Sequence, residues 1–532
     1  MRRTRARAAL GLTIVGAVAL AALTASARSA APPPALKSGG TLTIALESDP
    51  DALDPTLART FVGRMVFADM CEKLYDLNTK IEIVPQLAAS LPTFSADKKT
   101  VTIKIRQGIK FNDGTPLDAA AVKQSLDRHK TLKGSARASE LSPVASIDTQ
   151  GSSTVILHLS TRYSPITAQL ADRAGMIMSP KALDALGDKF ATNPVCVGPF
   201  MFKDRTAGDH ITLTKSPYYY DKAKVHLDTI VWKIITDPSA RAANLRSHDV
   251  NVAEGIASTD LRSIAADKSL RPFKSTSIGY QGITVNIGNS KGLGKLPYTN
   301  TGTAIAKSPD LREAFELALD RKVINKVVFG GTVNPDCFPV APSTPWYAAT
   351  KGIPCNLTAN VAGAKAAFKR SGAASGVTVH LMLGTDPVAA RLGQVIQSME
   401  KPIGFNVVLD PTEFVTSLNH EDAGQFETFA IGWSGRVDPD GNTYNFLHTT
   451  GSQNDSGYSN PVADRALANE RKAASTNARL VDFHAALAQA AKDRPVIYLY
   501  HLVNREAEAT NVGGVQLFGD GLVRAAFAGF KK

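Results

Sequence analysis

The first thirty residues decide the compartment in which the rest of this chain has to fold. Arg2, Arg3, Arg5 and Arg7 precede an apolar stretch from Ala8 to Leu23, and Ala25-Ser26-Ala27 fits the small-x-small pattern of a cleavage site. That order of basic, apolar and small residues is a secretory signal peptide over 1–27. The apolar stretch is shorter than the roughly 20 residues a membrane-spanning helix needs. No cysteine stands beside the cleavage site, as a lipoprotein would require, and no second stretch is long enough to span. The mature chain is therefore expected to be exported and soluble.

Export makes the cysteines legible. There are 4, at Cys71, Cys196, Cys337 and Cys355. An even count in an oxidising compartment suggests two disulfides, and four cysteines allow three pairings. Cys337 and Cys355 bracket a proline-rich loop whose closure would stabilise by about 3 kcal/mol. The expected pairs are Cys337–Cys355 and, by elimination, Cys71–Cys196. Zinc is not expected, since there is no C-x-x-C pair.

A chain of 532 residues has room for two or three domains, and 44% hydrophobic with 20% charged residues is ordinary for a folded soluble protein. The net charge is +12, but four of those charges sit in the first seven residues, so nucleic-acid binding is not indicated. A Pro/Ala/Gly leader over 28–40 gives way to a strand at Thr41–Ala45, a polar loop over 47–55 and a helix expected over 56–74. A strictly alternating strand (100–111) and the turn Asp113-Gly114-Thr115-Pro116 lead to a helix through His129 capped by Asp118. Strands near 211–214 and 230–235 follow. Leu311, Phe315, Ala318, Leu319 and Val323 predict one amphipathic helix over 309–329. Strands at 378–383, 406–409 and 426–433, a long helical stretch over 463–492 and an apolar strand at 495–502 complete a mixed α/β pattern with more than one sheet.

Catalytic motifs fail one by one. Gly432-Trp433-Ser434-Gly435-Arg436 comes near a nucleophile elbow, but Arg436 replaces the glycine that allows close backbone approach. Asp438 to Asn442 resembles the start of a calcium loop, yet Thr443 and Thr449 stand where glycine and the bidentate acid are needed. No metal or cofactor motif is present in the sequence, and no enzyme activity is expected.

Several segments in order carry a resemblance. They are Leu53-Asp54-Pro55, then Phe111-Asn112-Asp113-Gly114-Thr115-Pro116 with Ala121-Val122 and Ser125, then Gly198-Pro199-Phe200 and Ser216-Pro217-Tyr218-Tyr219. Asp310-Leu311-Arg312-Glu313-Ala314 with Ala318, Asp320 and Arg321 follows, and Gly432-Trp433 with Asp438-Pro439 ends the series. Together, over about 40–532, the chain resembles the peptide/nickel-binding family of extracytoplasmic solute-binding proteins of ABC importers. The resemblance implies an α/β, type II periplasmic-binding-protein fold of two hinged lobes. The first lobe would take 40–277 plus 503–532, with an extra subdomain near 62–190, and the second 278–502. Crossovers are expected near Ile278 to Asn286 and Val496 to Asn504. The implied function is to bind a peptide or peptide-sized polar solute between the lobes and deliver it to an inner-membrane permease. A secreted serine hydrolase around Ser434 and an envelope chaperone or sensor on the same fold are the alternatives.

Candidate ligand-binding residues are Asp54 and Arg59 in the first lobe, Tyr280, Gln281 and Asn286 on the crossover, and Trp433, Arg436, Asp438 and Tyr444 in the second lobe. Asp320-Arg321 reads as a scaffold ion pair. Peptide-binding relatives place an acid for the α-ammonium shortly after the Gly-Trp pair, where this chain has Ser434-Gly435-Arg436. Either Asp438 takes that role, or the solute presents an anion to Arg436, whose guanidinium suits a carboxylate.

Overall fold

The computed structural model describes residues 35–532, so the signal peptide and most of the leader lie outside the described residues. Two large sheets organise the chain. The first runs, edge to edge, through Leu270–Thr276, Val503–Ala509, Val252–Ala253, Thr41–Leu46, Thr229–Ile234, His210–Lys215 and Phe200–Thr206. The second runs through Asn334–Pro335, Val496–His501, Tyr280–Val285, Thr428–Trp433, Val377–Leu383 and Phe405–Pro411. Each sheet has its own core. Leu42, Ile44, Phe67 and Trp232 are fully buried in the first lobe, and Ile283, Phe315, Leu381 and Ile497 in the second. The result is a two-lobed α/β fold.

A third, four-stranded sheet (Thr93–Phe94, Thr100–Lys104, Thr154–Leu159, Val144–Gln150) forms a separate core with the helix Ala119–Thr131. It is inserted in sequence between the first strand of the first lobe and Phe200. Asp118 caps its helix by accepting from the Ala121 N–H at 2.9 Å. Asp113 holds the preceding turn by accepting from the Thr115 N–H at 3.0 Å and from the Ser179 hydroxyl at 2.5 Å.

The chain passes between the two large sheets twice. Leu270–Thr276 belongs to the first and Tyr280–Val285 to the second, with only Ser277, Ile278 and Gly279 between them. Val496–His501 belongs to the second and Val503–Ala509 to the first, with Leu502 between them. The two passages touch, since the Ser277 N–H donates to the Leu502 carbonyl at 3.0 Å and His501 Nδ1 lies 2.5 Å from the Gly279 carbonyl. Two short extended links side by side permit bending about one axis while resisting twist, which is the geometry of a hinge.

Long apolar periodicities break where capping residues intervene. The helix expected over 56–74 spans only Phe61–Met70, because Thr60 accepts from the Gly63 N–H and starts it there. The continuous helix expected over 309–329 is two helices, Pro309–Ala318 and Arg321–Phe329. Asp320 accepts from the Val323 N–H at 2.8 Å and restarts the helix in a new direction, which leaves Val323 41% exposed instead of buried. Asp320 therefore makes no pair with Arg321. Arg321 instead meets Glu316 at 3.1 Å and donates to the carbonyls of Tyr498 and Asn356. The stretch over 463–492 likewise splits into Pro461–Lys472 and Thr476–Asp493, with Ser475 capping the second helix.

The four cysteines form Cys71–Cys196 and Cys337–Cys355. Among the described residues no helix is long and apolar enough to cross a membrane.

One buried histidine gives the first lobe a pH signature. His129 is fully buried, with Nδ1 2.9 Å from Thr56 Oγ1 and Nε2 3.0 Å from the Met176 carbonyl. Burial holds its pKa down at about 4, against an ordinary 6.5. The folded chain keeps this ring neutral while the unfolded chain takes up a proton near 6.5, so stability is lost as pH falls from 6.5 to 4. Relative to a His129→Gln variant, the wild type should lose roughly 3 kcal/mol across that window. Urea unfolding of both at pH 7 and pH 4 checks this; parallel pH dependences would refute it.

Candidate functional site

Polar side chains from both lobes meet at the boundary beside the hinge. From the first lobe, Arg59 forms an ion pair with Asp422 and lies 3.7 Å from Glu421, both at the end of the second-lobe helix Phe414–Ala423. Arg64 Nη1 donates to Ser434 Oγ at 3.1 Å, and Asp172 forms an ion pair with Arg436. On the inserted subdomain's side, Gln169 donates to Asp440 at 2.7 Å and the Ser139 hydroxyl to Asn445 at 2.6 Å. These are contacts of water-loving groups, as expected of surfaces that do not stay permanently together.

The tightest part of the boundary centres on Asp172. Its Oδ1 accepts from Arg64 Nε at 3.3 Å and from the Arg173 N–H at 2.7 Å, while Oδ2 faces Arg436. Arg173 Nε lies 3.8 Å from the same carboxylate, and its Nη1 donates to the Ala58 carbonyl at 2.8 Å. Arg137, behind them, donates from Nη1 to Glu140 at 2.7 Å. Four guanidinium groups thus share two carboxylates. Burial alone would raise the Asp172 pKa, but Arg436, Arg64 and Arg173 together hold it well below the ordinary carboxylate range. Burial, with Arg64 alongside, brings the Arg436 guanidinium down to about 9. Burial and the neighbouring Arg137 push Arg173 well down too.

Glycine is required where the second lobe approaches the hinge. Gly435 has φ +83°, and a Cβ there would lie 2.5 Å from the Gly279 nitrogen; one on Gly279 would lie 2.1 Å from the Trp433 carbonyl. The two backbones are in direct contact, which brings Arg436 against the crossover. A cavity of about 10 Å³ lies at this point, lined by Arg64, Asp172, Ile278, Gly435 and Arg436 among others. A second cavity of about 340 Å³ lies within the second lobe, between the helix Thr476–Asp493 and the loop closed by Cys337–Cys355, with Phe338, His484, Leu487 and Tyr498 in its wall.

Of the residues expected from sequence, Arg59, Tyr280, Trp433 and Arg436 lie at or beside this boundary. The Arg436 guanidinium stacks 4.2 Å over the Trp433 ring, which packs edge-on against Phe446 at 4.9 Å. Tyr280 packs edge-on against Tyr498 at 4.9 Å. The Gln281 amide lies against Gly432, where a larger residue would collide with it. The remaining four are engaged elsewhere. Asp54 is fully buried and receives both Nη atoms of Arg128, at 2.9 and 2.6 Å. Asn286 donates to the carbonyls of Asn289, Gly424 and Phe426 and so pins loops within the second lobe. Asp438 is held by both Nη atoms of Arg479, at 2.7 and 2.6 Å. Tyr444 stacks on His448 and carries the Arg471 guanidinium on its other neighbour contact, 3.0 Å from the ring centre.

Arg64, Arg137, Asp172 and Arg173 did not emerge from the sequence. Arg64 had a usable signal, an arginine inside the apolar run Phe61-Val62-Gly63-Arg64-Met65-Val66-Phe67. The other three have no periodicity that marks them, since Arg137 lies in a turn and Asp172 only caps the single-turn helix Arg173–Gly175.

The profile of bacterial extracellular solute-binding proteins, family 5 Middle, matches residues 82–454. The glutathione-binding protein GsiB of Salmonella paratyphi A is 30% identical over 301 residues, 56% of either chain, so the match spans a little over half of that relative. The Escherichia coli GsiB (strain 536) is 27% identical over 400 residues, 74% of either chain. Among solved structures, the oligopeptide-binding protein AppA of Bacillus subtilis, in complex with a nonapeptide, superposes with a TM-score of 0.83 at 21% identity, over 94% of this chain and 100% of that one. The periplasmic binding protein DppA of Helicobacter pylori, with peptide STSA, gives 0.83 at 22%, over 93% and 99%.

Proposed function

Since the chain belongs to the bacterial extracellular solute-binding proteins of family 5, we propose that it is a periplasmic receptor that takes a peptide or peptide-sized polar solute between its lobes and delivers it, as a monomer, to an ABC permease. The observation that carries this reading is the pair of short crossovers beside a boundary built from ion pairs and hydrogen bonds. Such a boundary can open and re-form about a solute, and the closed shape is what a permease would recognise. Arg59, Tyr280, Gln281, Trp433 and Arg436 are the expected residues best placed to face that solute. The relatives named for glutathione binding fit a peptide-sized cargo.

The hydrolase alternative loses its base. Ser434 Oγ accepts from Arg64 and Arg436, and no histidine is hydrogen-bonded to it among the described residues. A hydroxyl facing two guanidinium groups has nothing to take its proton.

The test is to purify the mature chain from the periplasm, denature it and identify any released solute by mass spectrometry. The expected result is a peptide-sized polar compound that the refolded chain rebinds and returns unchanged. Recovery of a cleaved product would overturn the receptor reading, as would failure to release or rebind any solute.

A further inference from the structure

Around Asp172 the boundary holds more guanidinium groups than carboxylates. Arg64, Arg137, Arg173 and Arg436 face Asp172 and Glu140, an excess of two positive charges. Arg137 and Arg173 are both fully buried, and Arg436 is 9% exposed. Among the described residues, Nε and Nη2 of Arg137, Nε and Nη2 of Arg173, and Nη2 of Arg436 have no hydrogen-bond partner. The pattern of those atoms matters. Nε and Nη2 form the planar edge of a guanidinium that receives a carboxylate through two parallel hydrogen bonds. Arg137 and Arg173 therefore each keep one edge without a hydrogen bond, although Arg173 Nε lies 3.8 Å from Asp172, and Asp172 Oδ2 and Glu140 Oε2 are likewise without a hydrogen-bond partner. Arg436, the residue singled out from sequence, spends most of its own on Asp172, Ser434 and the Gly435 carbonyl.

Buried guanidinium edges left without hydrogen bonds are unfavourable, and like charges set side by side add to that cost. The acid that would greet a peptide ammonium does not balance this, because Asp438 is fully engaged by Arg479. Resting on the receptor reading above, we propose that the solute carries at least two carboxylates, that Arg137 and Arg173 of the first lobe each take one, and that Arg436 of the second lobe closes over them. Arg436 and Ser434 come from the second lobe, so parting the lobes withdraws them from this cluster. The cavity of about 10 Å³ lined by Arg64, Asp172 and Arg436, and not by Arg137 or Arg173, has no room for such a solute. The loaded lobes must then sit further apart than in this structure, with Asp172 released from Arg436.

The experiment counts carboxylates on the solute. The compound released from the denatured chain is methylated, and its mass gain gives one methyl per carboxylate. Two or more support the proposal. One or none overturns it and leaves the receptor reading intact, because a solute was carried. In parallel, the refolded chain is titrated with glutathione, citrate, glutathione diethyl ester and trialanine. Binding of either acid, with loss of at least tenfold on esterification, supports the proposal without any protein variant. Binding of trialanine or the diester as tightly as the acids, or of none of the four, counts against it. Arg173→Met and Arg137→Met should each weaken the acid by roughly thirtyfold. Circular dichroism confirms that each variant is folded, and equal affinity in a folded variant refutes that residue's part.

Discussion

Replacing Cys71 and Cys196 by alanine should cost about 5 kcal/mol of unfolding free energy, the larger of the two disulfide effects. The bond closes a sequence separation of 125 residues, against 18 for Cys337–Cys355. In the loop-entropy account the stabilisation grows with the logarithm of that length, so the shorter loop is worth about 3 kcal/mol. Position reinforces the ranking. Cys71 follows the helix Phe61–Met70 and Cys196 sits under the same core, both essentially buried, whereas Cys355 lies at the rim of a smaller satellite cluster. Urea unfolding of the two double variants under oxidising conditions measures both costs. An equal or larger loss from the Cys337/Cys355 variant would show that native packing, not closure of the unfolded chain, sets the scale.

Arg128→Met should be nearly as damaging, at about 3–5 kcal/mol, because it strands a buried carboxylate. Asp54 has no exposed surface, and both its oxygens are taken by Arg128. Among the described residues, removing the guanidinium leaves that charge with only the Thr56 N–H at 2.9 Å. The double variant Asp54→Asn/Arg128→Met removes the charge as well and should recover a large part of the loss. If the double variant is no more stable than Arg128→Met alone, the pair is not what makes the arginine necessary. The same comparison decides what Asp54 is for. A folded Asp54→Asn/Arg128→Met chain that still binds solute normally would place Asp54 in the scaffold of the loop and outside the cleft.

Local chemistry was legible where one or two neighbouring residues decide the outcome. Asp118 before an apolar periodicity and the Asp113 turn needed nothing beyond their own segment, whereas the strand expected over 100–111 spans only Thr100–Lys104. Even the errors of extent were local. Asp320 and Ser475 are ordinary capping residues that an unbroken apolar stripe concealed, and Val323 reached the surface because the helix restarted at Asp320.

The candidate site was legible only in part, for a different reason. Trp433 ends, and Arg436 follows, a strand that runs to the crossover, so the strand pattern itself delivered them to the boundary. Asp54, Asn286 and Asp438 carry the right chemistry for binding, yet each had a partner 41 or 74 residues away, or the carbonyls of a distant loop, to occupy it. Nothing in a linear pattern announces such a partner. What the sequence determined alone was the class of fold, the family and the local stops and turns, because these depend on periodicity, capping and ordered motifs. Which charges are spent and which remain available was decided only in three dimensions. Asp172 and Arg436 are 264 positions apart, and whether a guanidinium edge is satisfied depends on what the folded chain sets against it.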